Sequence, residues 1–112
     1  MTVEKEQMEN LSKSASEAAT LITKNVDEVP DVFGVYETSN SKTDLSQITY
    51  IGRGRIRTEL KNYLKDSCIG PSTYFRYEQT SSDERAQGRE RALLQEFKDK
   101  YGRLPSCNER IG

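Results

Sequence analysis

Five arginines and lysines, a set of tyrosines and one oddly placed glutamate are the residues of this chain whose types and spacing could do chemistry. Glu90 stands four residues after Ala86, three before Leu93, four before Leu94 and seven before Phe97. That spacing puts it on the apolar face of a helix. A lone carboxylate in such a place is paired, protonated or bound to a metal. Its bland explanation is an ion pair to Arg53, Arg55 or Arg57, or a small rotation of the stripe that leaves it at the edge. Residues 53–65 hold Arg53, Arg55, Arg57, Lys61 and Lys65 against a single acid, Glu59. Such a run is either a solvated helix face or a phosphate-binding surface. Tyr36, Tyr50, Tyr74 and Tyr77 crowd the predicted strands, with Tyr63 on a helix. Most sheet tyrosines pack. A phenol with an ordinary pKa of about 10 becomes a base at neutral pH only beside a cation or metal.

The composition narrows the chemistry further. There is no histidine, so Ser-His-Asp and Cys-His catalysis are excluded, as are zinc sites built on imidazole. The two cysteines, Cys68 and Cys107, lie far apart, form no CxxC pair and do not predict a disulfide framework. Any metal would be a hard cation held by oxygen. The net charge of −1 divides unevenly: residues 1–47 carry −5 and residues 48–112 carry +4, an asymmetry that fits a nucleic-acid face or a mixed surface. No apolar run approaches the roughly 18 residues of a membrane span, and the first residues are acidic without an apolar signal core. The expectation is a soluble, intracellular (cytoplasmic) protein that does not engage a membrane.

The elements that must position these residues follow from periodicity. Residues 3–25 read as a helix with a thin stripe through Met8, Leu11, Ala15, Ala18 and Leu21, ending before Pro30. It would pack on the domain or meet a protein partner. Residues 31–38 and 48–52 read as two strands joined by the polar turn 39–44, an antiparallel hairpin. Ile56, Leu60, Tyr63 and Leu64 recur at helical spacing. Residues 67–72 form a loop, and Thr73–Gln79 reads as a third strand. The last helix has a capping box in Ser81-x-x-Glu84, an apolar stripe through Ala86, Leu93, Leu94, Phe97 and Tyr101, and Gly102 as its C-terminal cap. The fold class is α+β: a small three-stranded antiparallel sheet flanked by helices, residues 30–112, with an N-terminal helical extension over residues 1–29.

Gly34-Val35-Tyr36 and Tyr50-Ile51-Gly52, on successive strands and followed by helix, strand and a helix bearing Ala86-Gln87-Gly88-Arg89-Glu90, make the chain similar to the GIY-YIG nuclease superfamily. Leu104-Pro105-Ser106-Cys107-Asn108 closes it in the family's manner. The resemblance covers residues 30–112. It implies a metal-dependent endonuclease that hydrolyses phosphodiester bonds. DNA would be the preferred substrate, with RNA also open. Glu90 would hold Mg²⁺ or Mn²⁺, a Lewis acid at the phosphate. Tyr36 would be a candidate general base, Tyr50 would contact phosphate or the attacking water, Tyr63 would stand where the family has histidine or sometimes tyrosine, and Asn108 would support the site.

The family's phosphate-binding arginine lies four residues before the position of Tyr63, and here that residue is Glu59. Arg55, one turn earlier, or Arg57 would have to reach over, with Arg53, Arg55, Arg57, Lys61 and Lys65 as the nucleic-acid-binding cations. Without such a replacement the resemblance implies a degenerate domain that binds nucleic acid or a protein partner without cutting.

Overall fold

Alternation along a strand decides which layer each side chain serves, and residues 34–39 are buried on both sides. The computed structural model describes residues 15–109. In order it contains β1 (Ala19–Thr20), α1 (Thr23–Asp27), β2 (Phe33–Ser39), a 3-10 turn (Leu45–Gln47), β3 (Ile48–Arg55), α2 (Ile56–Tyr63), β4 (Tyr74–Gln79) and α3 (Asp83–Tyr101). The strands form one antiparallel sheet in the order β1-β4-β2-β3. The expected α+β class stands, with a fourth strand added to the sheet.

Strand β2 lies inside the sheet and has helices on both of its faces. Val35 faces α3 and joins Ile48, Ile51, Ala86, Leu93, Leu94 and Phe97 in one buried cluster. Tyr36 faces the other way and joins Leu21, Val26, Val29, Ile56, Leu60 and Phe75 in a second. The period of two therefore splits the hairpin's residues between two cores. The pairing register sets Tyr36 opposite Gly52 on β3 and opposite Tyr77 on β4.

The α3-facing side also buries charge. Glu37 is 3% exposed and accepts two hydrogen bonds from Arg76, its cross-strand partner, at 2.7 and 3.0 Å. Arg89 of α3 reaches Glu78 at 3.2 Å. Desolvation raises the Glu37 pKa, opposed by the Arg76 charge.

The N-terminal part departs from expectation. Within residues 15–25 there is no continuous helix: Ala19–Thr20 is a strand and Thr23–Asp27 a single short helix. The chain instead runs along β4, with Ser16 N–H donating to Tyr77 O and Leu21 N–H donating to Thr73 O, both at 2.8 Å. Those long-range bonds satisfy the backbone that a helix would otherwise satisfy locally. The expected helix over residues 3–14 lies outside the described residues.

The ends of α3 follow capping chemistry: the C-cap is the expected Gly102, and the N-cap falls one residue later than the sequence suggests. Ser82, not Ser81, is the N-cap, and its hydroxyl accepts from Arg85 N–H. Gly102 takes the left-handed conformation (φ 73°) and donates to Lys98 O. Helix α2 is capped from outside: the Asp31 carboxylate accepts from both the N–H and the hydroxyl of Thr58. No described helix is long and apolar enough to cross a membrane.

Candidate functional site at the β3 edge

Three tyrosines stack behind strand β3. Tyr36 comes from β2, Tyr50 from β3 and Tyr63 from the last turn of α2. Their ring centroids lie 6.1 Å (Tyr36–Tyr50), 6.3 Å (Tyr36–Tyr63) and 5.2 Å (Tyr50–Tyr63) apart, all tilted. The Tyr50 and Tyr63 hydroxyls meet at 3.4 Å. Glycine at position 52 makes the stack possible. A Cβ there would fall 2.5 Å from the Tyr36 hydroxyl oxygen and 2.6 Å from the Tyr50 ring.

Tyr36 is fully buried, and its hydroxyl donates to Glu59 Oε1 at 3.2 Å. Burial raises its pKa strongly, helped by Tyr50 and by the Glu59 charge. Tyr50 is raised as well, chiefly by desolvation. Both side chains are therefore held as neutral phenols. The general-base role the resemblance implies for Tyr36 does not fit this environment, because a negative carboxylate stands where a cation would be needed. Glu59 itself packs beneath Gly54, which adopts φ 135° with the Glu59 carboxyl carbon within 3.2 Å of where a Cβ would stand.

Beside the stack a cleft of 460 Å³ opens to solvent, lined among others by Tyr50, Tyr63, Asp66, Glu90, Asn108 and Glu109. It wraps around the outer edge of β3, so residues from both faces of the sheet reach it. Glu90 arrives from the α3 face. Its Oε1 lies 3.4 Å from Arg53 Nε, and its side chain is 14% exposed. Desolvation raises its pKa and Arg53 opposes that shift. Of the ion-pair partners open in the sequence, the structure selects Arg53, which also donates to both oxygens of Asp83 at 3.0 Å.

Asn108 is bound to the edge strand by two side-chain bonds. Ile51 N–H donates to Asn108 Oδ1 at 2.9 Å, and Asn108 Nδ2 donates to Ile51 O at 3.0 Å. Cys107, next to it, is joined to Cys68 in the loop after α2. This bond corrects the reading of two unrelated cysteines. The loop after α2 and the tail after α3 converge over the same strand edge, which their distance in sequence conceals.

The sequence-derived cations do not gather here. Arg55 turns to Asp31 and lies over the Phe33 ring. Lys61 pairs with Asp27 of α1 at 3.2 Å. Arg57 lies two positions from Glu59, about 200° around the helix axis, so neither it nor Arg55 takes the place of the missing arginine. Lys65 is exposed in the loop beyond α2. No Lys or Arg is among the described residues that line the cleft. Sequence reasoning missed Asp66 and Glu109 as cleft residues. The available signal for Asp66 was the turn it forms, its carboxylate accepting from Cys68 N–H and Ile69 N–H.

Among the described residues no group of three or more His, Cys, Asp or Glu side chains is arranged to hold a metal. Glu90 lines the cleft beside Asp66 and Glu109, with its Oε1 engaged by Arg53. A single carboxylate completed by water and phosphate oxygens is a donor set suited to Mg²⁺.

A family model described as a domain of unknown function, DUF7508, matches residues 11–100. No curated protein and no solved structure matches the chain.

Proposed function

The chain belongs to the DUF7508 family, whose function is unknown, and from the site's residues we propose that it is a metal-dependent endonuclease hydrolysing phosphodiester bonds in DNA. One observation carries the reading: Tyr50, Tyr63, Glu90 and Asn108, from β3, α2, α3 and the tail, line one solvent-open cleft. They are four of the residues that the resemblance to GIY-YIG nucleases assigns to catalysis; Tyr36, Arg55 and Arg57, also in that set, do not line the cleft.

In this reading Glu90 is the single protein ligand of one Mg²⁺ or Mn²⁺. When bound, the ion would supply Lewis-acid stabilisation of charge on the phosphate. Arg53 orients the Glu90 carboxylate from behind. Tyr50, held neutral by its burial, and Tyr63 donate hydrogen bonds to phosphate oxygens in place of the missing arginine. Tyr36 and Glu59 fix the ring of Tyr50 from the buried side. Asn108 holds the β3 backbone at Ile51, between Tyr50 and Gly52.

A second reading has its own observation. Glu59 occupies the position of the family's phosphate-binding cation, and three of the five cations of the run are engaged by Asp27, Asp31, Asp83 and Glu90. That pattern favours a degenerate domain that binds nucleic acid or a protein without cutting.

Plasmid, single-stranded and branched DNA incubated with the protein in Mg²⁺ and in Mn²⁺ separate the two. Cutting by the parent and none by a folded Glu90→Ala variant supports the nuclease. No cutting with either ion, alongside salt-sensitive gel shifts, supports the binding module.

A further inference from the structure

The tail that closes the cleft is attached by bonds of unequal durability. Up to Pro105 it is anchored by packing: Leu104 rests on the α3 core cluster and Pro105 is fully buried. Beyond Pro105 the attachments to β3 among the described residues are three hydrogen bonds: Cys107 N–H to Thr49 O at 2.7 Å and the two side-chain bonds between Asn108 and Ile51. Asn108 is only half-buried, so water can compete for these bonds. The remaining attachment is covalent, from Cys107 to Cys68. On the loop side, Cys68 stays in place without the bond, because Asp66 holds its N–H and Ile69 beside it is buried.

We infer that Cys68–Cys107 is a redox latch on the cleft. Oxidised, it pins residues 107–109 against β3, so that Asn108 clamps Ile51 and Glu109 forms part of the cleft wall. Reduced, that short segment leaves the strand while the sheet and its helices stay folded. The inference concerns the wall of the cleft and holds whether or not DNA is cut there.

The chemistry is thiol–disulfide exchange. Cys68 is exposed and Cys107 half-buried, so a thiolate of a dithiol reductant attacks the Cys68 sulfur. A mixed disulfide forms there, and Cys107 leaves as the thiolate, which releases the tail in the first step. The reductant's second thiolate then attacks its own sulfur in the mixed disulfide and expels Cys68. Two electrons pass to the protein disulfide, the reductant is oxidised to a disulfide, and two protons end on the cysteines. Closure reverses the sequence with a small-molecule disulfide as oxidant.

Amide hydrogen exchange by NMR on the full chain tests this, with the protein oxidised by glutathione disulfide and then reduced by dithiothreitol. The Ile51 amide reports the clamp, and the Val35 and Tyr36 amides of the central strand report the whole fold. On reduction, Ile51 should lose at least about tenfold more protection than Val35 and Tyr36. Reoxidation should restore it. Asn108→Ala in the oxidised protein should mimic the loss at Ile51 alone. Equal loss at all three amides on reduction would overturn the latch in favour of a purely global stabilising bond. Unchanged Ile51 protection would overturn it by showing that packing and hydrogen bonds suffice. So would thiols that stay free after treatment with glutathione disulfide.

Discussion

The hydroxyl of Tyr36 and the carboxylate of Glu59 face each other across the buried side of the candidate site, 3.2 Å apart. Burial, with a lesser contribution from Glu59, keeps the phenol neutral, and the phenol gives the glutamate a hydrogen-bond donor at this position. Removing the acceptor should be costly. Glu59→Ala leaves a fully buried hydroxyl without a partner and is expected to destabilise the fold by about 1–3 kcal/mol. Glu59→Gln keeps an acceptor and should cost less. Urea midpoints of the two variants check the order, and a smaller loss for alanine would mean that the bond contributes nothing.

Two glycines offer a matched contrast. Gly52→Ala drives a methyl group into the Tyr36 and Tyr50 rings and should cost about 1–3 kcal/mol through overpacking. Gly88 is exposed on α3, and a Cβ added there would meet nothing within 4 Å. Gly88→Ala should therefore stabilise by about 0.5–1 kcal/mol through helix propensity. Thermal melts of both variants read the opposite signs.

Glu90 gives the stability a pH dependence of defined sign. Burial raises its folded-state pKa above the ordinary 4.5. The folded chain thus binds this proton more tightly than the unfolded chain does. Its contribution is complete below the unfolded value and is lost as pH rises through the raised folded one. Between about pH 4 and about pH 7, wild type should lose stability relative to Glu90→Gln. Parallel curves for the two proteins would show that Glu90 titrates normally.

Arg53 competes for the same carboxylate. If Glu90 is the metal ligand, Arg53→Gln should raise Mn²⁺ affinity by roughly five- to tenfold, since a nearby positive charge and one occupied oxygen are both removed. Glu90→Gln should abolish binding. Electron paramagnetic resonance titration of Mn²⁺ measures both, and retained binding in Glu90→Gln would place the ion elsewhere.

The disulfide spans a sequence separation of 39, a loop whose closure in the unfolded chain corresponds to about 4 kcal/mol in the chain-entropy account. Urea denaturation with and without dithiothreitol should show a drop of that order. No shift would mean that the unfolded chain keeps those regions together without the bond.

What the sequence made legible follows the range of the interactions involved. The hairpin could be read because Gly34-Val35-Tyr36 and Tyr50-Ile51-Gly52 flank a polar turn, a local pattern. Helix α3 could be read from its stripe, and Glu90 stood out because a carboxylate breaks that stripe. The N-terminal segment was not legible. Ala15, Ala18 and Leu21 satisfy a helical period as readily as they line a strand edge, and the deciding partner, β4, lies far along the chain. The destinations of Arg55 and Lys61 were hidden for a similar reason. An arginine's sequence neighbours do not reveal which acid the fold will bring to it, and Asp31 and Asp27 come from the segment before β2. Pairing of Cys68 with Cys107 likewise depends on two loops meeting over β3.

The long strands β4 and β3 are each flanked on their outer side by a short piece of chain. Residues 16–21 cover β4 through Ser16, Thr20 and Leu21, and the tail covers β3 at Thr49 and Ile51. An uncovered margin presents unpaired amides and carbonyls that can recruit a strand from another molecule. Residues 16–21 guard one margin by non-covalent contacts. The guard on the other is secured by sulfur, so the thiol balance of the surroundings bears on self-association as well as on the cleft.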